Sequence, residues 1–572
     1  MTRKPQRLAL LALAITLVSC AAPPPRTGTA PAEATATRQP TTLVMVVNTE
    51  VKNLAAKAVG GVNPTRTTRL FSAGLSVLDA QNESRPYLAE ALPQINTDDW
   101  IAHPDGRMET TWKLRSGLTW HDGQPLTADD FVLAFQIYTA PELAGIYEPR
   151  PQNLVDRVVA VDPRTIRIYW KSPYLFTGLG LDPLPRAHLA EPFAAFEQDP
   201  LGQRDTFLSL RFWTTEYVGS GPFRLTNWEP SSHLEGVAFD GHALGRPKID
   251  KVLLRFINDE NTVITNLLAG QVHLVTADVL RFESGLTLQR QGGFNDVEKK
   301  GILLPTTTAA ISTVFQHRPD YQQTTAFHDL RVRKAMVHAT DREAINDGLF
   351  SGQGFPAHTL VRRDAPYMPD VERVLTKYAY DVRITEQLMG EVGFSKDRDG
   401  FFVDAAGQRF QPAGLWAAVG PQREQLLPIM VNRWQFAGID IQHSVLPPSV
   451  GADPEANATF PGLVVHGISL TESTSAQSLA TEQIGTLTNR WLGGNRGGWS
   501  NPEYDRLWNR YNTTLVRTDQ MQTMVQMMKL QSELVPSFPL YYLLGVVPHL
   551  ASLKGPMGDS YNWNVHEWEI TV

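Results

Sequence analysis

The chain has 572 residues, 42% hydrophobic and 9% aromatic, with a formal net charge of −7. That composition supports a large folded body of two or three lobes, and its acidic balance argues against nucleic acid, which needs a basic footprint. The single cysteine excludes an internal disulfide and leaves a cysteine-based metal site without partners.

Arg3, Lys4 and Arg7 precede the apolar run at residues 8–18, the pattern of an export signal and too short to span a bilayer. Leu17-Val18-Ser19-Cys20 resembles the bacterial lipobox, so residues 1–19 read as a signal peptide and Cys20 as an acylated residue. An unmodified cysteine in a discarded leader is the alternative. The following AAPPPRTGTAPAEATATRQP holds no aromatic residue and cannot bury enough apolar surface to fold. Residues 20–40 therefore read as a lipidated cysteine and a tether with a reach of roughly 25 Å. No later apolar run is long enough to cross a membrane, which leaves the acyl chain as the expected attachment.

Residues 42–47 (TLVMVV), between Pro40 and Asn48, predict a buried first strand. Residues 108–120 nearly alternate apolar and polar positions about Ser116-Gly117, which predicts a hairpin. Thr127-Ala128-Asp129-Asp130 then opens a helix: the threonine caps it, the acids sit at its positive end, and Phe131, Ala134 and Phe135 form an apolar stripe. Residues 252–257, 261–269 and 272–275 predict strand, helix and strand, with Gly270 ending the helix. Val332, Ala335, Met336 and Ala339 keep helical spacing, and Asp341 caps a second helix that stops near Gly352. Tyr504, Leu507, Trp508, Tyr511 and Leu515 make one late stripe, and Met521, Met524, Val525 and Met528 the next; both read as core. The alternation of strands and helices predicts a mixed α/β body.

Several stretches resemble, in order, the extracellular solute-binding proteins of family 5. LAEAL at residues 88–92, followed by WKLRSGLTWHDGQPLTADDFVLAF, is the strongest match. GSGPF at 219–223 with Trp228, GRPKID at 245–250 and LLAGQV at 267–272 look like the family's central block. DLRVRKA at 329–335 with DREAI at 341–345 looks like the start of its second lobe, and WSNPEYD at 499–505 with PSFPLYY at 536–542 like its closing blocks.

The resemblance implies a periplasmic-binding-protein-like α/β fold: two lobes with a hinge, and an extra subdomain in the first. Lobe I takes residues 41–80, 218–303 and 539–572, its extra subdomain 81–217, and lobe II 304–538, with crossovers near 302–308 and 538–544. It also implies the substrate-binding lipoprotein of an ABC importer of oligopeptides, dipeptides or nickel chelates. Its partners would be a solute, peptide-like by this relation, together with permease and ATPase subunits.

A receptor that binds and releases needs a cleft with converging polar groups and aromatic walls, and no nucleophile. The sequence holds no Gly-x-Ser-x-Gly elbow, no His-Glu-x-x-His and no Walker loop. Residues 352–357 (GQGFPA) imitate a dinucleotide fingerprint, but Pro356 stands where the helix should open. His121-Asp122 reads as part of a turn closed by Gly123. Asp397-Arg398-Asp399-Gly400 is calcium-loop-like without the ligand pattern or closing Glu. The 14 histidines show no metal-ligand spacing, so no catalytic residue, metal site or cofactor is expected, and any nickel would arrive chelated.

The candidate ligand-binding residues are Glu50 just after the first strand, Trp416 before a Gly-Pro turn, His466, Trp491 and Arg496 in the late segment, and Tyr541 at the second crossover. Each has an ordinary alternative: a solvated loop acid for Glu50, a core ring for Trp416. Of Tyr541 and Tyr542, strand alternation lets only one face ligand. Peptide-binding members of the family often carry an Asp in the late segment to receive the ligand's ammonium. Residues 460–474 (FPGLVVHGISLTEST) have none and only Glu472 as an acid, so an ammonium is not expected to be the dominant anchor. A lipid-anchored hydrolase with paired carboxylates, or a binding lipoprotein serving a sensor, stays open from the residues alone.

Overall fold

The computed structural model describes residues 40–571 apart from 49, 56, 58–63, 81–82, 144–150, 278, 296–299, 419, 452 and 558–561. The leader, Cys20 and the tether lie outside the described residues.

The main sheet has ten strands: β1 (Thr42–Val47), β2 (Phe223–Glu229), β3 (His233–Ala238), β4 (Lys251–Phe256), β5 (Leu274–Val275), β6 (Gly301–Phe315), β7 (Leu415–Ala418), β8 (His443–Leu446), β9 (Leu463–Ser469) and β10 (Ser537–Leu550). Their spatial order is β8-β7-β9-β6-β10-β5-β1-β4-β3-β2. The run TLVMVV is β1, a central strand parallel to both β4 and β5, and Leu43, Met45, Val46 and Val47 are fully buried. Burial on both faces is why that stretch is continuously apolar.

β6 and β10 pair antiparallel from Gly301↔Leu550 to Val314↔Ser537. One end of this ribbon carries β5 at His549, and the other carries β9 along Ala309 to Phe315. Separate cores collect at the two ends. Leu43, Met45, Val252, Leu254 and Leu274 belong to one. Ile311, Phe315, Leu415 and Val465 belong to the other, under helices Leu330–His338, Arg342–Phe350 and Pro421–Ala437. The architecture is thus two-lobed, with a long two-stranded ribbon between cores.

A four-stranded antiparallel sheet, ordered Trp100–Ala102, Met108–Lys113, Thr165–Trp170, Val155–Asp162, carries a third core with Trp112, Phe131, Ile166 and Ile168. The hairpin expected about Ser116-Gly117 does not form. Met108–Lys113 pairs instead with Trp100–Ala102 and Thr165–Trp170. The inward positions Met108, Thr110 and Trp112 find matching apolar positions at Trp170, Ile168 and Ile166, which the short Leu118-Thr119-Trp120 stretch does not offer. The tight turn comes later, where the Gly123 N–H donates to the Trp120 carbonyl at 2.9 Å with Gly123 at φ 88°.

Helix Ala128–Thr139 begins as expected: the Asp130 carboxylate accepts from the Thr127 N–H at 2.8 Å, and also from Trp120 Nε1 at 3.2 Å and the Arg186 N–H at 2.8 Å. Asp341 caps Arg342–Phe350, accepting from the Ala344 N–H at 2.9 Å, and the helix ends in left-handed Ser351 and Gly352. Helices Pro502–Thr513 and Arg517–Leu534 bury Tyr504, Trp508, Met521, Met524 and Met528 against Ile468 and Tyr542. The methionine stripe is core.

Candidate binding edge on lobe II

β7 is parallel to both β8 and β9, so the carboxyl ends of these strands open on one edge. Helices Pro421–Ala437 and Glu472–Gln477 start just beyond that edge. In open α/β sheets ligands bind in the crevice at those carboxyl ends. Ser312 of β6 stands directly opposite His466 of β9, and Val314 opposite Val464, while Trp416 of β7 stands beside Val464. Alternation along strands puts these side chains on one face. Trp416 is half-buried against Val314, Phe460 and Val464. Ser312 is 0% exposed and its hydroxyl has no partner among the described residues.

His466 is half-buried, with Nδ1 3.0 Å from the Gly467 carbonyl. A carbonyl only accepts, so Nδ1 carries the proton and Nε2 is left as a bare acceptor. Burial, aided by the charges of Arg496 and Arg423, pushes the ring down to about 3, so it is neutral at ordinary pH. Arg496 Nη1 donates to Asn457 Oδ1 at 2.9 Å; burial and neighbouring Arg423 hold it below the usual arginine range. Its loop is pinned from below. Arg318 bonds to the carbonyls of Gly485, Ala458 and Arg496, and Asn495 Nδ2 donates to Ala480 O at 3.1 Å and Trp499 O at 2.7 Å.

Of the candidates, Trp416, His466 and Arg496 thus come together. Trp491 lies in the same loop as Arg496 at φ 62°, its indole N–H buried without a partner among the described residues and its ring 6.2 Å from that of Tyr321. Tyr541 is 1% exposed and packs with Ile311 and Phe350 on the other face of the sheet; its hydroxyl has no partner among the described residues. Glu50 is in the other lobe, accepting from Trp228 Nε1 at 2.8 Å and the Ser231 N–H at 3.0 Å, where it fastens the turn between β2 and β3. Glu472 is held by Arg517 through two bonds of 2.7 Å. Sequence reasoning missed Ser312 and Arg423. The Gly420-Pro421 helix start was a signal for Arg423, whereas Ser312 depends wholly on strand register.

His121 and Asp122 hold turns together: Nε2 of His121 lies 3.0 Å from Gly221 O, and Asp122 meets His188 at 2.7 Å. The Asp397 carboxylate accepts from the Asp399 and Phe401 N–H groups at 2.8 and 3.0 Å. Among the described residues no three His, Cys, Asp or Glu side chains stand close enough to hold a metal ion.

The model of bacterial extracellular solute-binding proteins, family 5 Middle, matches residues 86–481. The chain belongs to this family. The oligopeptide-binding protein AppA of Bacillus subtilis is 23% identical to this family 5 protein over 405 residues, 68% of each chain. The dipeptide-binding protein of Escherichia coli K12 is 23% identical over 415 residues, 66% of this chain and 68% of its own. NikZ from Campylobacter jejuni, solved with Ni(L-His), superposes with a TM-score of 0.69 at 19% identity, covering 92% of this chain and 99% of its own. The oligopeptide-binding protein of Thermus thermophilus, solved with a pentapeptide, gives 0.70 at 20% identity over 92% and 96%. The two-lobed binding-protein fold is therefore shared. Among the described residues no helix is long and apolar enough to cross a membrane.

Proposed function

We propose that this family 5 protein is the extracytoplasmic binding component of an ABC importer. It closes two lobes on a solute, with peptides the first class to test given the names of its relatives, and presents it to a permease driven by an ATPase. The acyl chain on Cys20 holds it at the outer face of the cytoplasmic membrane. Lobe I comprises 41–80, 218–303 and 539–572 with the subdomain 81–217, and lobe II 304–538.

The observation that carries this reading is the pair of separate cores bridged by the β6–β10 ribbon, with unpartnered polar groups at the strand ends beside it. A ribbon that supports bending lets two rigid lobes hinge. Across the lobes the Arg517 guanidinium lies 5.6 Å from the Phe176 ring, Leu515 packs on the subdomain core, and Phe282 meets Phe350 edge-on at 5.8 Å. Solute contacts are assigned to Trp416, His466, Arg496 and Trp491, with Tyr541 backing them from the opposite face. A family of solute-binding proteins favours capture over the hydrolase alternative. Small-angle scattering with and without a peptide that raises the melting temperature tests the hinge. A compaction is expected; an unchanged profile at saturation refutes closure.

A further inference from the structure

The chain leaves strand Thr165–Trp170 by a loop at residues 171–180 that is fastened to the subdomain at both ends. Trp170 is buried with its Nε1 donating to Thr110 Oγ1 at 2.9 Å, its ring lies 5.4 Å from that of Tyr174, and Tyr174 meets Phe176 edge-on at 6.2 Å. Farther on, the Ser76 N–H donates to Gly178 O at 3.3 Å and Gln152 Nε2 to Gly180 O at 2.6 Å. A Cβ at Gly178 would stand 2.5 Å from both Ser76 Oγ and the Trp112 ring, so only glycine lets the loop lie this close. Phe176 therefore sits, half-buried, on a stiff support.

The group over its ring belongs to lobe II. The Arg517 guanidinium lies 5.6 Å from the Phe176 ring, and Leu515, half-buried two residues earlier, packs on the subdomain core that Tyr174 and Leu175 also cover. Arg517 is itself fixed, donating to both oxygens of Glu472 at 2.7 Å and to Gln520 Oε1 at 3.0 Å. A planar guanidinium forked onto a carboxylate keeps its face free for a ring. When the ring leaves, Arg517 keeps Glu472, so the contact parts without stranding a charge. Glu472 is the first residue of helix Glu472–Gln477, just beyond the end of β9, so one ion pair links the contact to the binding edge. Phe282 on Phe350 is a contact of another kind: helix Phe282–Gly292 rests on the ribbon, with Gly285 against Val546 of β10, where a rotation about the ribbon moves atoms least. The subdomain sheet is separate from the ten-stranded one, so Phe176 and Arg517 meet only in those arrangements of the lobes that bring them together.

We propose that residues 171–180 of the subdomain are a latch on lobe II: Phe176 on Arg517 and Leu515 on the subdomain core hold the lobes together, and Phe176 acts through Arg517 and Glu472 as a positioning residue for the binding edge. Because both sides of the contact are protein, it biases the lobes toward closure whether or not solute is bound. This rests on the reading of the protein as a receptor whose lobes hinge.

The test needs no solute. The full chain, as Cys20→Ser, carries spin labels on Leu201→Cys and Phe436→Cys; Leu201 is 84% exposed on subdomain helix Pro200–Leu208 and Phe436 72% exposed on Pro421–Ala437 of lobe II. Electron–electron distance measurements then give the ratio of open to closed lobes. Phe176→Ala should raise that ratio about threefold, the size of a cation–π contact at a partly exposed site, and Leu515→Ala should raise it independently. Phe176→Tyr, which keeps the ring, should leave it unchanged. Arg517→Lys keeps a cation for Glu472 but loses the flat face, so it should act like Phe176→Ala and add nothing to it in the double variant. A short distance in the parent that gains a longer companion in Phe176→Ala and Leu515→Ala supports the latch equally well. Two distances in proportions that neither substitution moves overturn the latch and leave hinge closure intact. A single distance, the same in the parent and both variants, overturns closure and the latch with it.

Discussion

Two buried histidines make the first lobe sensitive to mild acid. His121 and His242 are each 5% exposed. His121 accepts from the Gly219 N–H at Nδ1, 3.2 Å, and donates from Nε2 to Gly221 O, 3.0 Å. His242 donates from Nδ1 to Gly245 O at 2.9 Å, and its Nε2 accepts from the Tyr87 hydroxyl at 2.8 Å. Each ring is therefore fixed in one neutral tautomer, and a second proton would face a donor. Burial pushes both down to about 4. The unfolded chain takes up the same protons near pH ~6.5, so it binds more protons than the folded one, and stability falls as pH drops from there toward 4. At pH 5 the linkage costs about 2 kcal/mol for each histidine. Urea unfolding followed by tryptophan fluorescence at pH 7 and pH 5 measures the loss. His121→Gln, which keeps a neutral side chain able to donate and accept, should reduce the pH-dependent loss by about 2 kcal/mol. An identical loss in parent and variant would refute the argument, because it would mean that His121 is as easily protonated folded as unfolded.

Other outcomes follow from single contacts. Asp130→Ala removes the acceptor for three hydrogen bonds and should cost about 2–4 kcal/mol in thermal unfolding; a loss below about 1 kcal/mol would show that the helix start does not depend on it. Glu50→Gln should change solute affinity in calorimetry by less than about threefold, since the carboxylate serves the β2–β3 turn; a larger loss would put it in the cleft. Cys20→Ser should move the protein from the membrane to the soluble fraction, and unchanged membrane association would exclude the acyl anchor.

The sequence by itself determined the local elements, because apolar periodicity and capping act within a few residues. TLVMVV had to be a strand buried on both faces, Asp341 had to open a helix, and the stripe from Tyr504 and the methionines from Met521 had to face a core. The ordered family blocks, from LAEAL to PSFPLYY, carried the two-lobed architecture. Tertiary structure decided which partners those elements chose. The strand Met108–Lys113 left its neighbour for Thr165–Trp170, since strand pairing follows matching apolar faces wherever they lie in the chain. Register alone set Ser312 opposite His466, and one residue of slip would send both to other faces. Glu50 and Trp491 look equally plausible as cleft residues in one dimension, yet Glu50 belongs to a turn of the other lobe. Whether a charge is paired is likewise a property of the assembled fold: Glu472 went to Arg517, far along the chain, and among the described residues no acid pairs with Arg423.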